Sequence, residues 1–86
     1  MKTAIVIINY NGLNLIKKFM PNVITNSSNC NIYVIDNNST DDSVNYIKNN
    51  FSNINIINNS SNLGYAGGYN EGIKKIDEDL LIFLNN

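Results

Sequence analysis

The chain has 86 residues, of which 43% are hydrophobic and 15% are charged, and its formal net charge is -1. A chain of this length forms a single domain, 1–86, and its composition is that of a globular rather than a disordered protein. The near-neutral charge gives no electrostatic reason to expect a nucleic-acid or anionic-membrane partner. With one cysteine, Cys30, and no histidine, the sequence excludes an internal disulfide, a zinc site and a Cys-His nucleophile pair.

The N-terminus has too short an apolar run for a signal peptide, and no segment approaches the roughly 20 apolar residues of a membrane span. We therefore predict a protein whose full-length form works in the cytoplasm or at the inner face of the membrane.

Four short apolar runs predict four buried β-strands. The first covers residues 3–8 (TAIVII) and is followed by the turn-forming sequence NYNG. The second, 31–36, is rich in β-branched and aromatic residues and ends at Asp36. Shorter runs at 54–57 and 80–84 predict the third and fourth strands.

The segments between these strands show helical patterns. Apolar residues recur at helical spacing between 13 and 20, with Asn11 as the N-cap and Pro21 as the point where the helix ends or starts another turn. A second helix is predicted from 41 to 50, and a third follows the glycine-rich segment 64–68. The order βαβαβαβ predicts an α/β fold, a Rossmann-like parallel sheet of about four strands with helices on both faces.

Polar clusters follow all four predicted strands. In a parallel sheet they meet at one edge, where ligands of such folds bind. Asp36 stands where doubly wound nucleotide-binding folds carry an acid that accepts hydrogen bonds from a ribose or base. A carboxylate offers only acceptors, so it selects for N–H or O–H donors. The alternative interpretation is that Asp36 only shapes the turn before the helix.

Gly64, Gly67 and Gly68 stand at the start of the third predicted helix. Without side chains there, backbone N–H groups can approach a diphosphate or sugar. The alternative is a tight turn with close packing of the helix on the sheet. The polar residues 39–42 are predicted to cap the second helix rather than to bind a ligand.

Other nucleotide-binding classes lack their motifs in this sequence. Neither the G-x-G-x-x-G of dinucleotide dehydrogenases nor the G-x-x-x-x-G-K-[ST] of P-loop NTPases occurs. A nucleotidyltransferase of similar fold would carry a basic glycine-rich loop near the first strand, which NYNGLN does not provide.

In four segments the sequence resembles the family 2 glycosyltransferases, whose nucleotide-binding half has the GT-A fold. The segments are IVIINYNG, YVIDNNSTDDSVNYI, NLGYAGGYNEGI and LLIFLNN; they stand in the family's order and cover nearly the whole chain. The third is most similar to the branch that contains bacterial rhamnosyl and related transferases of surface polysaccharide synthesis.

The resemblance implies transfer of a sugar, usually with inversion, from a UDP- or dTDP-sugar to a glycan or lipid-linked acceptor. Mg²⁺ or Mn²⁺ would neutralise the leaving diphosphate. Position by position, the resemblance also implies a set of residues that bind the donor nucleotide. These are Asn9, Tyr10, Asn11, Asp36, Asn38, Gly67, Gly68 and Asn70. In this set Asp36 would read the base or ribose.

The resemblance further implies that parts of the enzyme lie outside this chain. The family's metal motif follows the last strand, so Asn85 and Asn86 would be its first two positions and the metal-binding Asp would be the next residue. The catalytic base belongs to the later, acceptor-binding half. We therefore predict a truncated and inactive donor half that binds no metal itself and self-associates through its exposed last strand. The alternative is a small non-catalytic α/β nucleotide-binding module, complete at 86 residues.

Overall fold

The computed structural model describes residues 2–27 and 29–84. In these ranges β1 (Thr3–Asn9), β2 (Asn31–Asp36), β3 (Ile54–Asn58) and β4 (Leu80–Leu84) form a parallel sheet in the order β3-β2-β1-β4. The connections contain α1 (Leu13–Thr25), α2 (Ser43–Asn50) and α3 (Gly64–Gly72), and a 3-10 turn over Ile73–Lys75 follows α3. The predicted α/β fold with four parallel strands is confirmed. None of these helices is long and apolar enough to span a membrane.

The two faces of the sheet are covered by different helices, because successive side chains of a strand point to opposite faces. On the α1/α2 face, the buried residues Ile5, Ile7, Ile32, Val34 and Ile54 pack with Ile16, Met20 and Ile47 of the helices. On the α3 face, Ala4, Val6, Ile35 and Ile57 pack with Tyr69, Ile73 and Ile76. The helices therefore lie on both faces, as predicted.

Two of the predicted helix starts are wrong. Helix α1 begins at Leu13 after Gly12, and the predicted N-cap Asn11 is in a left-handed conformation with φ of 51°. Its side chain caps nothing in α1, because it binds the loop after β2 instead. Helix α2 begins at Ser43, two residues later than predicted. Of the two predictions for Pro21, the further helical turn is the one observed, because α1 continues to Thr25.

Helix α3 packs closely on the sheet through two glycines. A Cβ atom built at Gly68 would overlap Cδ1 of Ile8, and one at Gly72 would overlap the side chain of Ile35. Both glycines are buried. For Gly68 the alternative of close helix-to-sheet packing therefore describes the observed contacts, and this packing brings the start of α3 to the carboxyl edge of β1 and β2.

Candidate functional site

A cleft of about 200 Å³ opens at the carboxyl edge of the sheet. It is lined by Ile8, Tyr10, Asn37, Asn62, Gly64 and Tyr65. These residues come from the ends of β1 and β2 and from the beginning of α3. The cleft therefore lies where ligands bind in open α/β sheets, outside the carboxyl ends of the strands.

The lining of the cleft combines aromatic rings with amides. Tyr10 and Tyr65 are each about half exposed, at 49% and 50%. Asn37 and Asn62 add amide groups, each of which can donate and accept hydrogen bonds. Exposed rings offer stacking surfaces and amides read polar edges, so this lining suits a flat heterocycle with donors and acceptors on its rim.

Asn37 joins the end of β2 to the start of α3. Its backbone N–H donates to the carbonyl of Asn9 at 2.9 Å. Its Nδ2 donates to the carbonyl of Gly64 at 2.9 Å, and its Oδ1 accepts from Nδ2 of Asn59 at 2.8 Å. Three connections therefore hold one side of the cleft in place.

Asp36 lies on the other side of the strand and points away from the cleft. It is 2% exposed. Its Oδ1 accepts from Nδ2 of Asn9 at 2.8 Å and from Oγ of Ser39 at 2.7 Å, and its Oδ2 accepts from the backbone N–H of Ser39 at 2.8 Å. The carboxylate thus shapes the turn after β2, as the alternative interpretation proposed. Its direct contact with a nucleoside stays a prediction, which this geometry does not favour.

Asn9 stands opposite Asp36 in the register of β1 and β2. Its side chain is fully buried, and its Nδ2 also lies within 2.9 Å of Oγ of Ser43. Its Oδ1 accepts from the backbone N–H of Gly12 at 3.2 Å. Asn9 therefore ties the ends of two strands to the starts of α1 and α2 from beneath the surface.

Asn11 links the loop after β1 to the loop after β2. Its Oδ1 accepts from the backbone N–H groups of Thr40 at 2.7 Å and Asp41 at 3.1 Å, and its own N–H donates to Oγ of Ser39 at 2.9 Å. The positive φ of Asn11 is one that asparagine tolerates better than most residues. This conformation aims the side chain at the neighbouring loop.

Asp41 makes the reverse connection. One carboxylate oxygen accepts from the backbone N–H of Leu13, the first residue of α1, at 3.2 Å, and the other accepts from the N–H and Oγ of Ser43. Burial raises the pKa of the Asp41 carboxyl, but these hydrogen bonds outweigh that effect and hold the pKa below its usual value. Asp41 thus caps α1 from another loop as well as preparing α2.

The predicted site residues lie around the cleft, but one of them lines it. Tyr10 forms part of its wall. Asn9 and Asp36 are buried in the network beneath, Asn11 and Asn38 are exposed in the two loops, and Gly67, Gly68 and Asn70 follow along α3. Whether these residues bind a ligand stays a prediction.

The predicted metal position at Asn85 and Asn86 lies outside the described residues. Within residues 2–27 and 29–84, no group of three or more His, Cys, Asp or Glu side chains could hold a metal ion. The described residues therefore do not by themselves form a metal centre.

The residues that sequence reasoning missed are Asn37, Asn62 and Tyr65. A signal for Asn37 was present in the strand alternation: Ile35 packs on the α3 face, so Asn37, two residues later, shares that face, and Asp36 does not. The sequence did not show which face carries the cleft. That depends on where α3 crosses the sheet.

The chain is similar to known proteins in both sequence and fold. The sequence model of the family described as "Glycosyl transferase family 2" matches residues 4–86. No curated protein matches the sequence. The crystal structure of S. aureus TarS superposes with a TM-score of 0.83 at 19% identity, covering 99% of this chain and 16% of that one.

Two ligand complexes of S. aureus TarS 1-349 are similarly close. The complex with UDP has a TM-score of 0.83 at 19% identity, and the complex with UDP-GlcNAc has 0.82 at 20%. Each superposition covers 99% of this chain. It covers 27% of the TarS chain in the UDP complex and 26% in the UDP-GlcNAc complex. At this identity the likeness shows the fold, and the predicted GT-A fold is confirmed.

Proposed function

Because the chain belongs to glycosyl transferase family 2, we propose that it forms the donor-nucleotide half of a glycosyltransferase. In full length the enzyme would transfer a sugar from a UDP- or dTDP-sugar to a glycan or lipid-linked acceptor, with inversion, in bacterial surface polysaccharide synthesis. It would act in the cytoplasm or at the inner face of the membrane. The observation that carries the proposal is the cleft of two tyrosine rings and two amides at the carboxyl edge.

The residues of the cleft have separate tasks in this proposal. Tyr10 and Tyr65 hold the base between aromatic surfaces, and the amide of Asn37 contacts its polar edge. The start of α3 borders the cleft at Gly64, and the positive end of a helix favours the diphosphate. UDP and UDP-GlcNAc bound to TarS support a ligand of this class.

The remaining predicted residues act around this centre. Asn9, Asn11 and Asp36 hold the two loops that follow β1 and β2, while Asn38, Gly67, Gly68 and Asn70 are proposed contacts of the ribose and phosphates. We propose Mg²⁺ or Mn²⁺ only for the full-length enzyme, where it would neutralise the leaving diphosphate. The part played by this chain is to bind and orient the donor.

Calorimetry with UDP and dTDP on the protein in its full natural length tests this function. Tyr10→Ala should weaken binding by about tenfold, because stacking of a base on an aromatic ring contributes about 1–3 kcal/mol. Tyr10→Phe keeps the ring and should retain most of the affinity. If the folded protein binds no nucleoside diphosphate, the proposal is wrong.

An assay with a panel of nucleotide sugars then separates the enzyme from its alternative. Transfer of a sugar supports the glycosyltransferase, whereas nucleotide binding without transfer from any donor supports the small non-catalytic module. We also propose that copies of the isolated 86-residue chain associate with one another through β4, because that strand carries exposed apolar residues.

A further inference from the structure

A buried pair of amides, Asn37 and Asn59, lies beneath the cleft. Asn59 follows β3 directly and is 5% exposed. Its backbone N–H donates to the carbonyl of Asp36 at 2.8 Å, which fixes its position beside the end of β2. Its Nδ2 donates to Oδ1 of Asn37 at 2.8 Å and to the carbonyl of Gly68 at 3.3 Å. Asn59 does not line the cleft, but it holds a residue that does.

The orientation of both amides follows from two backbone carbonyls, which can only accept hydrogen bonds. The carbonyl of Gly68 requires the Nδ2 side of Asn59, and the carbonyl of Gly64 requires the Nδ2 side of Asn37. If the Asn37 amide turned by half a rotation, its NH₂ would meet the NH₂ of Asn59 and its oxygen would meet the carbonyl of Gly64. Both hydrogen bonds would be replaced by repulsive contacts, so the amide has one allowed orientation.

This fixed orientation matters because an amide has a direction. The bonds to Gly64 and Asn59 use one N–H and one lone pair of Asn37, and an amide has two of each. Asn37 lines the cleft although it is only 2% exposed, so a ligand that reaches this amide from the cleft would meet a donor and an acceptor in a set order. Uracil and thymine place a ring N–H beside a carbonyl, whereas cytosine places a ring acceptor beside an amino group. The hydrogen-bond donor and acceptor therefore stand in opposite order on the two edges, and an amide held in one orientation can pair with only one of them.

We propose that Asn59 is a positioning residue that, together with the carbonyl of Gly64, locks the Asn37 amide and thereby makes the cleft selective for a uracil or thymine edge over a cytosine edge. This inference rests on the proposed function of the cleft. Asn59, a buried residue outside the cleft, would thus determine which pyrimidine nucleotide is preferred. The affinity itself would come from stacking of the base and from contacts with the diphosphate.

The test compares the dissociation constants of UDP and CDP for the full-length protein by calorimetry. We expect the original protein to prefer UDP by about tenfold, since mispaired buried polar groups are costly. Asn59→Ala removes one of the two hydrogen bonds that fix the Asn37 amide, while the bond to the carbonyl of Gly64 remains, and should reduce this preference to about threefold, with UDP losing affinity and CDP losing less or gaining. Asn58→Ala changes an exposed asparagine next to it and is the matched control, for which the preference should be unchanged.

A second variant keeps the inference testable if Asn59→Ala does not fold, as judged by its thermal unfolding. Asn37→Ala removes the directional amide and should also abolish the preference, and adding Asn59→Ala to it should change the preference no further. Equal losses of UDP and CDP affinity in Asn59→Ala would mean that Asn59 only stabilises the fold, and would overturn the inference without touching the proposed function. Equal binding of UDP and CDP by the original protein would overturn it too. Absence of any nucleotide binding would overturn both.

Discussion

Gly68 has no room for a side chain, because α3 crosses the sheet directly above Ile8 and Asn37. A Cβ atom there would lie 2.5 Å from Nδ2 and 2.7 Å from Oδ1 of Asn37. We expect Gly68→Ala to lower the free energy of unfolding by about 1–3 kcal/mol, as overpacked cores do. Urea unfolding followed by circular dichroism measures this change.

Gly67→Ala is the control for that substitution. Its Cβ atom would meet Cβ of Leu63 at 3.2 Å, a much milder contact. Replacing a helical glycine also gains about 0.5–1 kcal/mol of helix stability, so Gly67→Ala should be close to neutral. Equal stability of the two variants would show that α3 does not approach the sheet as closely as described.

The roles of individual site residues were also the part of the structure that the sequence predicted least well. It identified the segment that ends β2, since an acid and amides after an apolar run indicate a strand end. It did not distinguish Asp36 from Asn37, although these neighbours face opposite sides of the sheet. The distinction depends on tertiary contacts: Asn9, Ser39 and Ser43 occupy the side of Asp36, and α3 leaves the cleft on the side of Asn37.

At the scale of elements, the loop after β2 caps α1 through Asp41, and the loop after β1 binds the loop after β2 through Asn11. We expect Asp41→Asn to lower the free energy of unfolding near pH 7 by about 1 kcal/mol, the usual effect of losing a helix cap. Its pKa is lowered in the folded state, so the ionised carboxylate adds stability above the unfolded pKa of about 3.9. This stability is lost as the pH falls through the lower folded pKa.

Urea unfolding at about pH 7 and about pH 2.5 checks this sign. The difference between the original protein and Asp41→Asn should narrow at the lower pH. Asp42→Asn, at the exposed neighbouring position, is the control and should have a smaller effect at neutral pH. A difference that stays constant or widens on acidification would contradict the assigned role of Asp41.

The elements themselves were largely predictable. The four apolar runs became four strands within one residue of their predicted ends, because buried parallel strands need continuous apolar sequence. The starts of the helices were less predictable. Capping rules assume that the cap is close in sequence, whereas Leu13 is capped by Asp41, 28 residues later. Helix α1 also passes Pro21, since packing of Met20, Val23 and Ile24 against the core outweighs the lost hydrogen bond.

At the scale of the whole molecule, the described sheet ends in a strand with exposed apolar residues. Leu80, Ile82 and Phe83 of β4 are 45%, 41% and 48% exposed, and β4 pairs with β1 on one side. We predict that the 86-residue chain associates in solution, because an open apolar edge is a template for pairing with another chain. Light scattering over a range of concentrations measures this association.

Ile82→Lys should reduce that association, since a lysine on an edge strand opposes pairing between strands. Leu15→Lys replaces a residue of α1 that is 48% exposed, compared with 41% for Ile82, and should leave the association unchanged. A monodisperse monomer at high concentration would contradict the prediction, and equal effects of the two substitutions would place the contact somewhere other than β4.

The hydrogen bonds that join the two loops have a consequence for protein engineering. Residues 9–13 and 36–43 contribute donors and acceptors to one another, so neither set is complete when it is separated from the other. They therefore form one exchangeable unit made of two discontinuous segments. A chimera that receives one segment from a protein of the same fold should be less stable than either parent, whereas a chimera that receives both should recover stability.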